Sequence, residues 1–136
     1  MASFLFLFVA CGVDLPEGWE DASPVEGLTQ AECGGDPYEA YTSTVDVESA
    51  EGGSAFDWSN AHFRCAQDVG GFYRMDGDTV EVLIQPVDMN PGEVARCDCL
   101  YDVSFEVPER ATSWALWRRW DNLNEANDPE LVAQSE

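Results

Sequence analysis

Apolar and polar residues alternate most cleanly over residues 96–107, "RCDCLYDVSFEV". Cys97, Cys99, Tyr101, Val103, Phe105 and Val107 fall on one face of an extended chain, and Arg96, Asp98, Asp102, Ser104 and Glu106 on the other. Successive side chains of a strand point to opposite faces, so this period of two predicts a half-buried antiparallel strand, with Leu100 as its single exception. Residues 70–86 predict a β-hairpin, because Asp76-Gly77 separates Phe72-Tyr73-Arg74 from the β-branched run at Val80 to Ile84. "YTSTVDV" (41–47) reads as a further strand, and "EGGS" (51–54) closes it. Residues 55–65 ("AFDWSNAHFRC") fit a strand or a short helix, with Phe56, Trp58 and Phe63 favouring strand. The segment 111–124 is equally double, and its Trp and Thr content favours strand.

Five or six short strands between Gly, Pro and Asp turns, with no sustained helical period, predict an all-β fold. Its expected form is an antiparallel β-sandwich of immunoglobulin-like or similar Greek-key type, tied by disulfides. The organisation expected around it is a signal segment at 1–10, an acidic Gly- and Pro-containing tether and loop at 11–37, the sandwich at 38–124 and a frayed acidic tail at 125–136.

The apolar block Phe4 to Val9 changes the picture from fold to location. It is too short for the roughly 20 residues that cross a bilayer as a helix, and it matches the apolar region of an export signal. Phe8-Val9-Ala10-Cys11 resembles the lipobox of bacterial lipoproteins. That resemblance implies cleavage before Cys11 and attachment of a diacylglycerol to its sulfur. A non-lipid signal and a buried N-terminal strand are the alternatives.

With 27 acidic and six basic side chains, the net charge is −21. Such a surface repels phosphate backbones, which disfavours nucleic-acid binding and attachment to anionic lipid through a basic patch. All six cations are Arg and there is no Lys. The dense carboxylates suit a salty habitat, and they equally suit a soluble exported protein from a GC-rich genome.

Setting Cys11 aside, Cys33, Cys65, Cys97 and Cys99 remain, and an even number in an exported domain predicts two disulfides. Cys97 and Cys99 do not suit one another, because i and i+2 along a strand lie about 7 Å apart, at the edge of disulfide reach. Cys33 and Cys65 therefore each take one of them, in either order.

The sharpest enzymatic alternative uses the same residues: His62, Cys65, Cys97 and Cys99 could surround a zinc ion. In an oxidising compartment disulfide formation competes with that site and is favoured. His62 is the sole histidine, so any histidine acid–base chemistry would fall to it, but no nucleophile motif accompanies it. Asp76-Gly77-Asp78 and "DNLNEANDPE" (121–130) carry oxygen ligands for calcium, yet the first is explained as a turn and the second departs from the EF-hand pattern. Trp114, Trp117 and Trp120 suggest a platform for a sugar or peptide, against the plainer reading of core residues. On strand geometry Trp117 faces away from the other two. No cofactor is called for.

"HFRC", "QPVDMNP" and "RCDCLYDVSFEVP" together resemble the small disulfide-bonded β-domain lipoproteins of Gram-negative bacteria, of a kind common in myxobacteria. The resemblance covers about residues 55–121. No constellation in the sequence needs catalysis, so the expected role is that of a non-catalytic, lipid-anchored module of the outer membrane, periplasm or cell surface that binds a protein, a glycan or calcium. The resemblance itself implies a sandwich and an envelope location. It carries over no catalytic residue. A metal-dependent or hydrolytic envelope enzyme is the alternative.

The charge density yields a first prediction. Folding crowds the carboxylates, and salt shortens the Debye length from about 10 Å at 0.1 M to about 3 Å at 1 M. Thermal melts should therefore move upward with sodium chloride over that range, whereas a flat or falling series would contradict self-repulsion as a major destabilising term.

Overall fold

The computed structural model describes residues 15–87, 97–110, 112–120 and 128–136. Nine strands are present among them: β1 (Ser23–Pro24), β2 (Thr29–Gln30), β3 (Thr44–Ala50), β4 (Gly53–Arg64), β5 (Val69–Asp76), β6 (Thr79–Pro86), β7 (Asp98–Val107), β8 (Ser113–Arg118) and β9 (Glu130–Gln134). They form a five-stranded sheet of order β1-β5-β6-β8-β9 and a four-stranded sheet of order β2-β7-β4-β3. The chain is an all-β sandwich, as the alternation implied. Its sheets are mainly antiparallel, but β6 and β8 run parallel, Val80 opposite Trp114 and Leu83 opposite Trp117. That pairing departs from a purely antiparallel fold and does not by itself establish an immunoglobulin-like connectivity. The intervening β7 lies in the other sheet, so the chain passes from one sheet to the other and back between β6 and β8, the crossover that parallel neighbours require.

The core lies between the sheets. Phe56, Trp58, Ala61 and Phe63 of β4 and Tyr101, Val103, Phe105 and Val107 of β7 meet Val80, Val82, Ile84 and Leu116 from the facing sheet. Phe56 stacks on Phe105 with centroids 5.0 Å apart, and its ring meets Trp114 edge-on across the sandwich at 5.8 Å.

In β4 the inward positions switch from even to odd numbers between Trp58 and Ala61. Trp58 pairs with Val103 and Ala61 with Tyr101, so three steps along β4 match two along β7. This β-bulge inserts one extra residue and restores the inward direction of Ala61 and Phe63. Asn60 takes the left-handed conformation there, φ 58°, which Asn tolerates better than most residues with a Cβ. Its backbone N–H donates to the Asp102 carboxylate at 3.1 Å, and its side-chain amide donates to the Thr42 carbonyl at 2.8 Å.

The strand at 98–107 has the expected faces. Leu100, the exception, is on the outer face yet buried, because the chain at Gly34 and Gly35 runs alongside it and bonds its backbone. Cys97, expected inward, is exposed at the strand's mouth, and Arg96 lies outside the described residues. In the hairpin, Asp76 pairs with Thr79, so the two-residue turn is Gly77-Asp78, one position later than expected. Gly77 has φ 61°, the conformation a Gly-first hairpin turn demands.

Two expectations need correction. Residues 15–37, expected as tether and loop, supply β1 and β2, which pair with β5 and β7 respectively, and Trp19 there is buried. The tail, expected to fray, supplies β9 along β8; residues 125–127 lie outside the described residues, as do residues 1–14, Cys11 included. These strands are short and gain order from ladder hydrogen bonds to an existing edge, which leave little trace in side-chain periodicity.

The register yields a second prediction. Phe105→Ala removes a stacked, buried ring and should cost about 3–5 kcal/mol, while Glu106→Ala, on the exposed face, should stay within about 0.5 kcal/mol. Denaturant midpoints check both; equal sensitivity at the two positions would contradict the faces assigned here.

Candidate functional site

The β4–β7 ladder ends in the residues with the most chemistry. Phe63 opposes Cys99 and Arg64 opposes Asp98, and the Cys65 N–H donates to the Cys97 carbonyl at 2.9 Å. Strand parity sends odd residues 63, 65, 97 and 99 to one side of the sheet, and 62, 64, 98 and 100 to the other.

On the first side Cys65 bonds to Cys97, and Cys99 bonds to Cys33 from the segment after β2; both pairs have Cα atoms 5.4 Å apart. The two disulfides lie against one another, with Cys65 Sγ and Cys99 Sγ 2.9 Å apart. Both sulfurs are already covalently bonded, so this contact is no hydrogen bond; it is a close approach of two bridges. Cys99 is buried, Cys65 half-buried, and Cys33 and Cys97 exposed. Beside Cys33 opens a cleft of about 420 Å³, lined also by Gln30, Glu32, Gln67, Asp68 and Tyr101. Ala66, which also lines it, holds φ 57° immediately after Cys65.

The expected four-residue zinc set does not assemble. Among the described residues, the donor atoms lying within 4.8 Å of one another are the sulfurs of Cys65, Cys97 and Cys99. All three are engaged in disulfides, and His62 is not among them. Parity is the physical reason, since an even-numbered β4 residue faces away from the sulfurs.

On that other side His62 Nε2 meets Asp98 Oδ2 at 3.0 Å. The pair is diagonal across the ladder, a separation long side chains span. The exposed Tyr38 hydroxyl donates to the same carboxylate oxygen at 2.8 Å. Trp120, two residues beyond β8, places its ring edge-on to His62 at 5.1 Å. The guanidinium groups of Arg64 and Arg118 lie 5.1 and 5.3 Å from the Trp120 ring. Arg118 also donates to the His62 carbonyl at 2.8 Å and pairs with Glu130 of β9. This group joins β4, β7, β8, β9 and the Tyr38 loop, and its contacts are those of a clasp. The His62 imidazole is committed to Asp98, while the hydroxyls of Ser43, Ser54, Ser104 and Ser135 bond elsewhere.

Partial burial of Asp98 pushes its carboxyl upward, but the hydrogen bonds from His62 and Tyr38, with the charges of His62 and Arg64, outweigh it and hold the carboxyl below its ordinary value. The Tyr38 hydroxyl is raised above 10.0, first by its hydrogen bond to Asp98 and then by that carboxylate's charge.

The tryptophans do not form one platform. Trp114 packs on the core, Trp117 is on the opposite face of β8, and Trp120 sits on His62. Asp76 and Asp78 belong to the hairpin, and residues 121–127 of the other calcium candidate lie outside the described residues.

Sequence reasoning singled out His62 and all four sulfurs, and it placed Asp98 on the outward face. It missed Tyr38 and Trp120 as their neighbours. The available signal was Asp98 between two inward cysteines; joining it to His62 required the antiparallel register. Compared with known proteins, the chain matches no family, no curated protein and no solved structure.

The lowered Asp98 carboxyl yields a third prediction. A carboxylate depressed in the folded state contributes stability that is fully present above its unfolded value, about 3.9, and is lost as pH falls through the folded value. Asp98→Asn should therefore be less stable than the parent at pH about 6, and the gap should narrow as the pH falls below about 3.9 and through the lowered folded value. Urea melts of both proteins across that range check it; a gap independent of pH would contradict the assignment.

Proposed function

We propose that this chain is an exported, lipid-anchored cell-envelope protein, and that its sandwich has a binding or structural role without catalysis. The observation that carries the reading is the pair of disulfides closing one end of the β4–β7 ladder. Such bridges persist in oxidising compartments such as the periplasm and cell surface, and reducing cytosol opposes them. The sequence adds the apolar block Phe4 to Val9 and Ala10-Cys11. The lipobox resemblance makes Cys11 the site of lipidation, and a diacylglycerol supplies the two chains that stable anchoring needs.

The non-catalytic role is favoured by what the reactive side chains already do. His62 and Asp98 bond one another, and Arg118 joins β8 to β4 and β9. The ligand class proposed is a protein or a glycan. Nucleic acid is disfavoured by the charge of −21.

Expression of Cys11→Ser in a Gram-negative host, followed by membrane fractionation, tests the anchor. The parent should sediment with membranes and the variant should move to the soluble fraction. A variant that still sediments would overturn lipid attachment at Cys11.

A further inference from the structure

The geometry points to a thiol–disulfide exchange centre in which the two bridges act in series, so that capture of an incoming thiol at Cys33 frees a thiol at Cys97. Three observations carry it. Cys33 and Cys97, the outer members of the two bridges, are exposed, while Cys99 is 5% exposed. The inner members, Cys65 and Cys99, already stand 2.9 Å apart, against a disulfide bond length of about 2.0 Å. The cleft of about 420 Å³ opens beside Cys33 and gives an incoming thiol its path.

The exchange balances as follows. A thiolate RS⁻ attacks Cys33 Sγ; the RS–Cys33 bond forms, the Cys33–Cys99 bond breaks, and its electron pair leaves on Cys99. The Cys99 thiolate attacks Cys65 Sγ; the Cys65–Cys99 bond forms and the Cys65–Cys97 bond breaks. The Cys97 thiolate then takes a proton from water. Two disulfides and one thiol enter, and two disulfides and one thiol leave, so no outside oxidant or reductant is needed. Exchange proceeds by such thiolate attack at an accessible sulfur. Opening Cys65–Cys97 also frees Cys65 from its cross-strand partner beside Ala66, whose left-handed φ of 57° is unfavourable for a residue with a Cβ.

The substrate class is a cysteine thiol, and the cleft's own charges narrow it. Glu32 and Asp68 line the approach, so a thiol flanked by cations is favoured over one flanked by carboxylates. Cysteamine, which carries an ammonium, is therefore the probe, with glutathione as the anionic comparison.

The test uses the folded full-length chain with less than one equivalent of cysteamine, an acid quench, alkylation of free thiols and mapping of unreduced peptides, with Cys11 assigned by its own peptide. The expected products are cysteamine on Cys33, a Cys65–Cys99 cross-link and one alkyl group on Cys97 for each cysteamine bound, with glutathione slower. Alkylation of Cys99 beside an intact Cys65–Cys97 bridge would overturn the series. Attachment at Cys65 or Cys97 first, or no adduct on the folded chain, would overturn it equally. Cys33→Ser gives a second reading: its free thiol should appear at Cys97 with Cys65–Cys99 formed, and a free thiol on Cys99 contradicts the proposal. Should that variant fail to fold, the parent chain decides. These readouts report on sulfur alone, so they stand or fall separately from lipid anchoring.

Discussion

The pairing of β4 with β7 is the constraint on which the rest of the structure depends. It is the longest antiparallel ladder in the four-stranded sheet, from Ser54 opposite Val107 to Arg64 opposite Asp98. Its inner face supplies the large side chains of the core, and burying them is the dominant favourable term for a domain of this size. The ladder keeps one face inward along its whole length because of a single inserted residue. Without the bulge at Asn60, Ala61 and Phe63 would point to solvent while His62 and Arg64 entered the core. Phe63 and Ala61 have no measurable exposure, so the slip would expose a full aromatic ring and bury two polar side chains. Asp102 and Thr42 hold the bulge from the two neighbouring segments.

The cations show how a chain of charge −21 uses its few positive side chains. Arg74 lies over the Trp19 ring at 3.9 Å, bonds the Gly18 carbonyl and pairs with Glu81 at 2.8 Å, fastening the N-terminal segment to β5 and β6. Arg118 joins the two sheets through His62, and Arg119 reaches Gln85 at 3.2 Å beside β6. Arg64 meets Trp120. Exposed ion pairs contribute little to stability. Guanidinium groups stacked on rings and bonded to backbone carbonyls contribute more, because they are partly removed from water. Arg suits these places better than Lys, since a planar guanidinium can stack and donate at once. The absence of Lys therefore has a structural counterpart: the cations described here serve as fasteners between segments.

How far the fold was legible depended on whether one face of an element is buried without interruption. β7 was legible because its inner face alternates without a break, and its one exception, Leu100, is covered by the Gly34–Gly35 segment. β4 was ambiguous for a definite reason: Phe56 and Trp58 share a parity that Phe63 does not, and the bulge between them reverses it. β1, β2 and β9 were not legible, because edge pairing of two to five residues rests on backbone hydrogen bonds common to all sequences. The parallel β6–β8 pairing also has no local signature. The disulfide partners were narrowed by the spacing of Cys97 and Cys99, but choosing between two pairings needed the register. The His62–Asp98–Tyr38 group depended on three segments distant in sequence, and Tyr38 precedes the first strand that the pattern predicts, at 41–47.

A Cys-x-Cys sequence on a paired strand has a consequence that unites these features. Cys97 and Cys99 share a side of β7, so their two bridges must lie next to one another on that side. The register places Cys65 opposite Cys97, which leaves Cys99 to a partner from a third segment, and Cys33 is brought there by the chain running along Leu100. The residue between the cysteines is forced to the opposite side, where Asp98 finds His62, two residues short of the β4 position facing it. Sulfur chemistry and the charged clasp are thus separated by one sheet and fixed by one ladder. Without the bulge, the β4 residues beyond it would change sides, taking Cys65 away from Cys97 and His62 away from Asp98, so the inserted residue that protects the core also keeps the sulfurs together on one face and the ionic pair on the other.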